Sequence, residues 1–291
     1  MRAKSLLAIA VGLVCAGSTK AAPFFFSTGS PDGRIATASR PDTPGKIEIE
    51  SADDFLLTDH TQITSATFTG LIPRGATITD VRVEIYRVFP FDSTNPPSGN
   101  VPTRANSPSD VAFDDRDSAV AGQLTFTTTL LNAAFNVSNS VVNGINKIPG
   151  QTTGGEGPVT GEEVQFNITL TTPFDLPADH YFFIPQVALA GANDNFLWLS
   201  GQRPAVTPFA PDLQSWIRNA NLDPDWLRIG TDVVGGNVAP PPTFNGAFTL
   251  NGDTIPPGGG GGTPAPLPAG IWMGLMTATG IGIAKARRRK A

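Results

Sequence analysis

Val81-Arg82-Val83-Glu84-Ile85-Tyr86 decides the fold class. Its apolar residues recur at every second position, the period of a strand with one buried face. Val81, Val83 and Ile85 are expected to face a core, with Arg82 and Glu84 turned outward. The alternation repeats downstream. Leu124, Phe126, Thr128 and Leu130 form a second run, and Val164, Phe166, Ile168 and Leu170 a third. Shorter candidates lie at 46–49, 54–57, 63–71, 180–189, 196–199 and 244–250. Their content of Thr and Phe favours strand over helix. Turn signals separate the runs, at Pro73-Arg74-Gly75, Asn95-Pro96-Pro97-Ser98-Gly99 and Gly154-Gly155-Glu156-Gly157. Strands without regularly interleaved helices predict an all-β antiparallel sandwich. Short helical insertions are expected at 138–145, capped by Ser138, and at 212–219, where Leu213, Trp216 and Ile217 fall together. A further helical turn is expected at 223–227, with Asp223 as cap and Pro224 at its first position.

The chain begins with a positive stretch containing Arg2 and Lys4, followed by an apolar run at 6–16 and small residues at Gly17, Ser18, Ala21 and Ala22. This order is that of a secretory signal. Cleavage after Ala21 places Thr19 and Ala21 at the two positions where signal peptidase wants small residues. The apolar run is too short to span a bilayer, which needs about 20 residues; the alternative is a buried N-terminal helix. The one cysteine, Cys15, lies inside that run, so removal of the signal leaves no disulfide and no thiolate site. The domain must then be held by its core alone.

The other end carries Gly258–Gly262 as a flexible spacer, then Ala265-Pro266-Leu267-Pro268-Ala269, an apolar stretch at 270–284, and the basic residues Lys285, Arg287, Arg288, Arg289 and Lys290. A helix over 267–284 would reach ~27 Å, just short of a ~30 Å hydrocarbon core. Its basic end would stay on the cytoplasmic side, and Trp272 suits an interfacial belt. By hydropathy and charge alone this is also a plain C-terminal membrane anchor.

The order of short proline motif, short apolar span and terminal arginine cluster resembles the PEP-CTERM family of bacterial sorting tails. It is closest to the variant whose motif reads Val-Pro-Leu-Pro-Ala, and Ala265 stands where that motif begins with Val. The resemblance covers about the last 27 residues. It implies export, recognition of the tail by an exosortase, and release or attachment of the passenger at the surface of an exopolysaccharide-producing cell. The expected segments are a signal peptide at 1–21, a β-sandwich ectodomain at 22–252, a Gly/Pro-rich linker at 253–266 and the sorting tail at 267–291. Within the ectodomain, Asp53-Asp54-Phe55-Leu56-Leu57, the run to Gly70, the strand at 81–86 and Ala247-Phe248-Thr249-Leu250 resemble pieces of bacterial extracellular jelly-roll domains.

Charge narrows the partners. Between Ala22 and Pro266 lie twelve basic and all twenty-five acidic residues, a net of −13. That argues against nucleic acid or an anionic membrane surface as ligand and suits an exported domain kept apart from others by repulsion. The expected partners are signal peptidase, an exosortase-type protease, the membrane through the tail, and a polysaccharide.

Chemistry-bearing constellations are sparse. His60 and His180 lack His-Glu-x-x-His spacing, and no Gly-x-Ser-x-Gly elbow is present. Acidic clusters occur at Asp53-Asp54, at Asp114-Asp115-Arg116-Asp117 and at Glu162-Glu163. A glycosidase would need two of these carboxylates facing each other across a cleft. Asp114, Asp115 and Asp117 are weighed as a calcium cluster against a solvated loop. Trp198, Trp216, Trp226, Tyr86 and Tyr181 could stack on sugar rings, although the three tryptophans sit in apolar contexts typical of a core. The expectation is a non-enzymatic, cofactor-free surface or matrix protein; a carbohydrate-binding adhesin is the alternative and a secreted hydrolase the third class.

Overall fold

The computed structural model describes residues 21–145, 152–202, 212–235 and 239–256. The chain divides into two units, Met1–Pro256 and Pro257–Ala291, and every described residue belongs to the first. The described elements are β1 Pro23–Ser27, β2 Pro31–Ala38, β3 Ile49–Leu56, β4 Thr61–Ile72, β5 Ile78–Arg87, β6 Asp114–Asp117, β7 Leu124–Val137, β8 Ser140–Val141, β9 Val159–Leu176, β10 His180–Leu189, β11 Leu197–Gly201, β12 Trp216–Asn219, β13 Leu227–Arg228, β14 Asn245–Gly246, β15 Phe248–Thr254 and a π-helix at Ile229–Val234.

The strands form two sheets, so the expected all-β sandwich is the observed architecture. The nine-stranded sheet runs β1-β15-β4-β11-β2-β8; β9 lies on the other edge of β4 and β7 beyond it, while β14 pairs with β11. The six-stranded sheet runs β13-β12-β3-β10-β5-β6. Pairing is antiparallel apart from β2 with β8. The chain passes repeatedly from one sheet to the other, as β3, β4 and β5 illustrate.

Alternation explains the main core. Val81, Val83 and Ile85 of β5 are buried with Phe55 of β3, Phe183 of β10, and Phe68, Phe166, Trp198 and Phe248 from the large sheet. The rings order one another: Phe68 stacks on Phe166 at 4.8 Å and Phe183 on Phe248 at 4.9 Å. Phe196 meets Phe68 edge-on at 5.7 Å. It also lies against Gly70, where a Cβ would stand 2.1 Å from its ring, so the last turn of that strand's face requires glycine.

Glu84, expected in solvent, is buried. The outer face of the small sheet is covered by the segment between β5 and β6 and by the loop between β12 and β13. Backbone bonds from Phe89 N to Ser107 O (2.8 Å) and from Ser109 N to Arg87 O (3.0 Å) fold the first segment back on β5. Tyr86, Phe182, Ile184, Trp216 and Trp226 pack in this second layer. The small sheet is therefore buried on both faces.

The helical insertions are not formed. Residues 138–145 contain β8, because Ser138 N binds Gly33 O (2.9 Å) and Ala36 N binds Asn139 O (3.1 Å), tying the segment to β2. Residues 212–219 contain β12, whose backbone pairs with Ile49 to Ala52 of β3. Residues 221–224 form a turn leading into β13. In each case a free sheet edge satisfies the backbone, which outweighs a short stretch of helical spacing. Of the expected strand at 46–49, Lys46 makes only an isolated bridge with Thr43, and Ile49, which bridges to Arg40, opens β3. β7 departs differently: Leu124 is buried, but Leu130 and Leu131 are 56% and 49% exposed. The final strand continues to Thr254, two residues past the expected linker boundary.

Candidate functional site

Three strands of the small sheet place their polar residues together on its outer face. Arg218 of β12 lies opposite Glu50 of β3. Glu84 and Tyr86 come from β5. The Arg218 guanidinium pairs with the Glu50 carboxylate, donates to the Tyr86 hydroxyl (2.9 Å) and meets Asp223 at 2.7 Å. It also lies over the rings of Trp226 (4.4 Å) and Tyr86 (5.3 Å), which suits a planar cation. A second ion pair holds the covering segments: Arg104 meets Asp110 at 2.7 Å and Asp225 at 3.6 Å, over the Phe89 ring.

Burial opposes the Arg218 charge, yet Glu50 beside it prevails and the pKa is raised. Glu84 moves the other way for a carboxyl. Burial, with Glu50 and Glu48 nearby, pushes its pKa well above the usual value, and it shares a hydrogen bond with Glu50. The shift favours the protonated form of Glu84. An acid with a raised folded-state pKa favours the native state fully below its unfolded pKa. That advantage declines as pH rises from there toward the folded value. Glu84→Gln retains a donor to Glu50 without the titration. Its melting temperature, compared with wild type by circular dichroism, is expected to match near pH 5 and to pull ahead progressively by pH 8. A constant offset across that range would show that Glu84 does not carry the proton.

Arg218, Glu50, Tyr86, Arg104 and Asp110 are buried and bonded to one another or to the covering segments, and they lock loops onto the sheet. Strand geometry also disperses the residues singled out from sequence. Asp114, Asp115 and Asp117 alternate faces on β6. Asp114 grips Arg116 (2.5 Å), and Asp117 pairs with Arg82 (2.9 Å) and accepts from Ala119 N (2.7 Å). They do not converge on a cation, and no group of three metal-binding side chains occurs among the described residues. Asp53 turns inward to Ser215 Oγ and Gly246 N, both at 3.0 Å, while Asp54 turns outward to His180 Nε2 at 2.6 Å. Burial, with Asp54 and Asp212 nearby, raises the Asp53 pKa well above the ordinary range. Glu162 accepts from Gly75 N at 3.4 Å, and Glu163 next to it is buried. His60 bonds Asp175 at 2.5 Å on the surface. Among the described residues no hydroxyl hydrogen-bonds either imidazole; His60 and His180 each bond a carboxylate instead. Trp198, Trp216, Trp226, Tyr86 and Tyr181 are all buried, which removes them as a platform for stacking sugars.

One arrangement was not foreseen. β1 and β15 pair so that Pro23 lies opposite Asp253. Ala22 N donates to Thr254 Oγ1 (3.2 Å) and Thr254 N donates to Ala22 O (2.8 Å). The two ends of the folded unit therefore leave from one corner. Ala21 is exposed there, beside the first residue of that pairing. The sorting motif Ala265, Pro266, Leu267, Pro268 and Ala269, the basic residues 285–290, the apolar stretch of the tail and the signal segment before Ala21 lie outside the described residues. Among the described residues no helix is long and apolar enough to cross a membrane.

The chain matches no family model, no curated protein and no solved structure.

Proposed function

We propose that the chain is an exported, exosortase-sorted surface or matrix protein whose β-sandwich is a non-catalytic passenger of jelly-roll type. The observation that carries this reading is the shared exit corner of Ala22 and Thr254. A signal removed after Ala21 leaves β1 and its pairing intact. In sequence the proline motif and apolar stretch of the tail follow the last strand across the Gly/Pro-rich linker. The passage of the chain between sheets favours the jelly-roll topology.

Association with a polysaccharide draws support from the outer face of the large sheet. Thr127, Asn167, Thr67, Thr249 and Ser27 lie side by side across β7, β9, β4, β15 and β1, in a row without charge on a domain of net −13. Hydroxyl and amide groups of this kind match an uncharged, hydroxyl-rich polymer.

The test is mass spectrometry of the chain from cells with and without the sorting protease. The expected product begins at Ala22, and it ends before the basic cluster only where the protease is present. Full-length chain in the cytosol with Met1 retained would sink the reading. An intact basic tail in both strains would reduce the tail to a plain anchor.

A further inference from the structure

A cleft of about 260 Å³ opens among Arg40, Ile47, Ile49, residues 142–145, Asn219 and Asn221. Arg40 is its anomaly. The residue is only 9% exposed, and its backbone is bolted to Ile49 by two hydrogen bonds, at 2.8 and 3.0 Å. Among the described residues its side chain makes one hydrogen bond, from Nη1 to Asn195 Oδ1 at 2.7 Å. Its Nε is buried without a partner. Among the described residues no carboxylate stands within ion-pair distance, although the span from Ala22 to Pro266 holds about twice as many acids as bases. Each of the other buried arginines meets a carboxylate: Arg116 one, Arg104 and Arg218 two each. Burial lowers the Arg40 pKa, as a cation without a counter-charge requires.

A buried, unanswered charge costs stability, so its persistence beside a cleft points to a ligand that answers it. The surroundings narrow the class. Ile47, Ile49, Val142 and Ile145 give apolar walls, and Asn143, Asn219 and Asn221 bring amides that can bond hydroxyls. The walls are held in place. Glu156 accepts from Val142 N (2.8 Å) and Asn143 N (2.7 Å). Lys46 Nζ donates to the carbonyls of Leu189, Gly191 and Asp194 and so fixes the loop that carries Asn195.

We infer that this cleft binds a small sugar acid, with its carboxylate on the Arg40 guanidinium, its hydroxyls on the asparagine amides and its ring face on the isoleucines. Arginine suits this role because its planar fork matches a carboxylate. The site stands independently of how the chain is sorted.

The test titrates sodium glucuronate into the purified full chain by calorimetry. Saturable binding of one equivalent is expected. Arg40→Met should weaken it by at least about thirtyfold, the loss typical of removing one partner of a buried charge pair. The same variant should melt at or above the wild-type temperature, because it removes an uncompensated charge. Glucose, lacking the carboxylate, and acetate, lacking the hydroxyls, should each bind at least about tenfold more weakly. Should Arg40→Met fail to fold, Arg40→Lys decides: it keeps the charge, loses the fork, and is expected to bind about tenfold more weakly. Absence of saturation by about 50 mM glucuronate, wild-type affinity in a folded Arg40 variant, or equal binding of glucose or acetate would each overturn the inference.

Discussion

Arg218→Met is expected to lower the stability of the domain by about 3–5 kcal/mol, the cost of removing one partner from a buried ion pair. The loss comes from what stays behind. Glu50 is buried and would be left without a cation, its carboxylate bonded to the Tyr86 hydroxyl (2.9 Å) and sharing a hydrogen bond with the neighbouring Glu84. Trp226 and Tyr86 would lose the cation stacked between them. In a domain of this size each kcal/mol moves the melting temperature by about 2–4 °C, so a fall of roughly 6–20 °C is expected in a thermal melt. Adding Glu50→Gln to Arg218→Met should return part of it, because the stranded charge is then gone. If the single variant lost less than about 1 kcal/mol, Glu50 would have to be reached by water and the pair would behave as a surface one.

This network also marks where the sequence stops being legible. The alternation in residues 81–86 correctly puts Val81, Val83 and Ile85 in the core, and β10 spans the stretch expected for it, because each strand buries one face against the other sheet. The same alternation assigns Arg82 and Glu84 to solvent. Glu84 is instead buried, with Tyr86 beside it, because the segment between β5 and β6 folds back over them, and nothing local in 81–86 reports that distant cover. Short strands fail for a related reason. β6 is Asp-Asp-Arg-Asp and reads as a solvated acidic loop; its extended form comes from pairing with Arg82 to Ile85 of β5. β12 and β8 carry helical spacing, but each finds a sheet edge first. β7 shows the converse error. Its apolar alternation is real, yet the core reaches Leu124 and Phe126 and not Leu130. The cleft at Arg40 is the least visible feature, since an arginine without a counter-charge is defined by which side chains are missing around it. That depends on the whole fold.

Phe68→Ala is expected to be as costly as the loss of Arg218, by a different route. Phe68 sits at the middle of β4, fully buried, and lies opposite Phe248 across the β15 pairing. It stacks on Phe166 at 4.8 Å with the rings 9° from parallel, and meets Phe196 and Phe183 at 5.7 and 6.4 Å. Truncation removes the shared surface of this cluster and leaves a ring-sized void between two sheets whose backbones are fixed by their ladders. Collapse into the void is therefore limited, and about 3–5 kcal/mol is the usual cost. Phe68→Leu fills much of the space and is expected to cost less than half as much. A double-mutant cycle with Phe166→Leu should return a coupling of about 0.5–1.5 kcal/mol for the stacked pair. Additivity of the two losses would mean that the rings contribute only as bulk. The folded unit from Ala22 to Pro256 contains no cysteine, so no cross-link restrains its unfolded state. Its persistence rests on this aromatic layer. A chain carrying Phe68→Ala should accordingly be cut by added protease at a temperature where wild type resists, which limited proteolysis at matched temperatures would read directly.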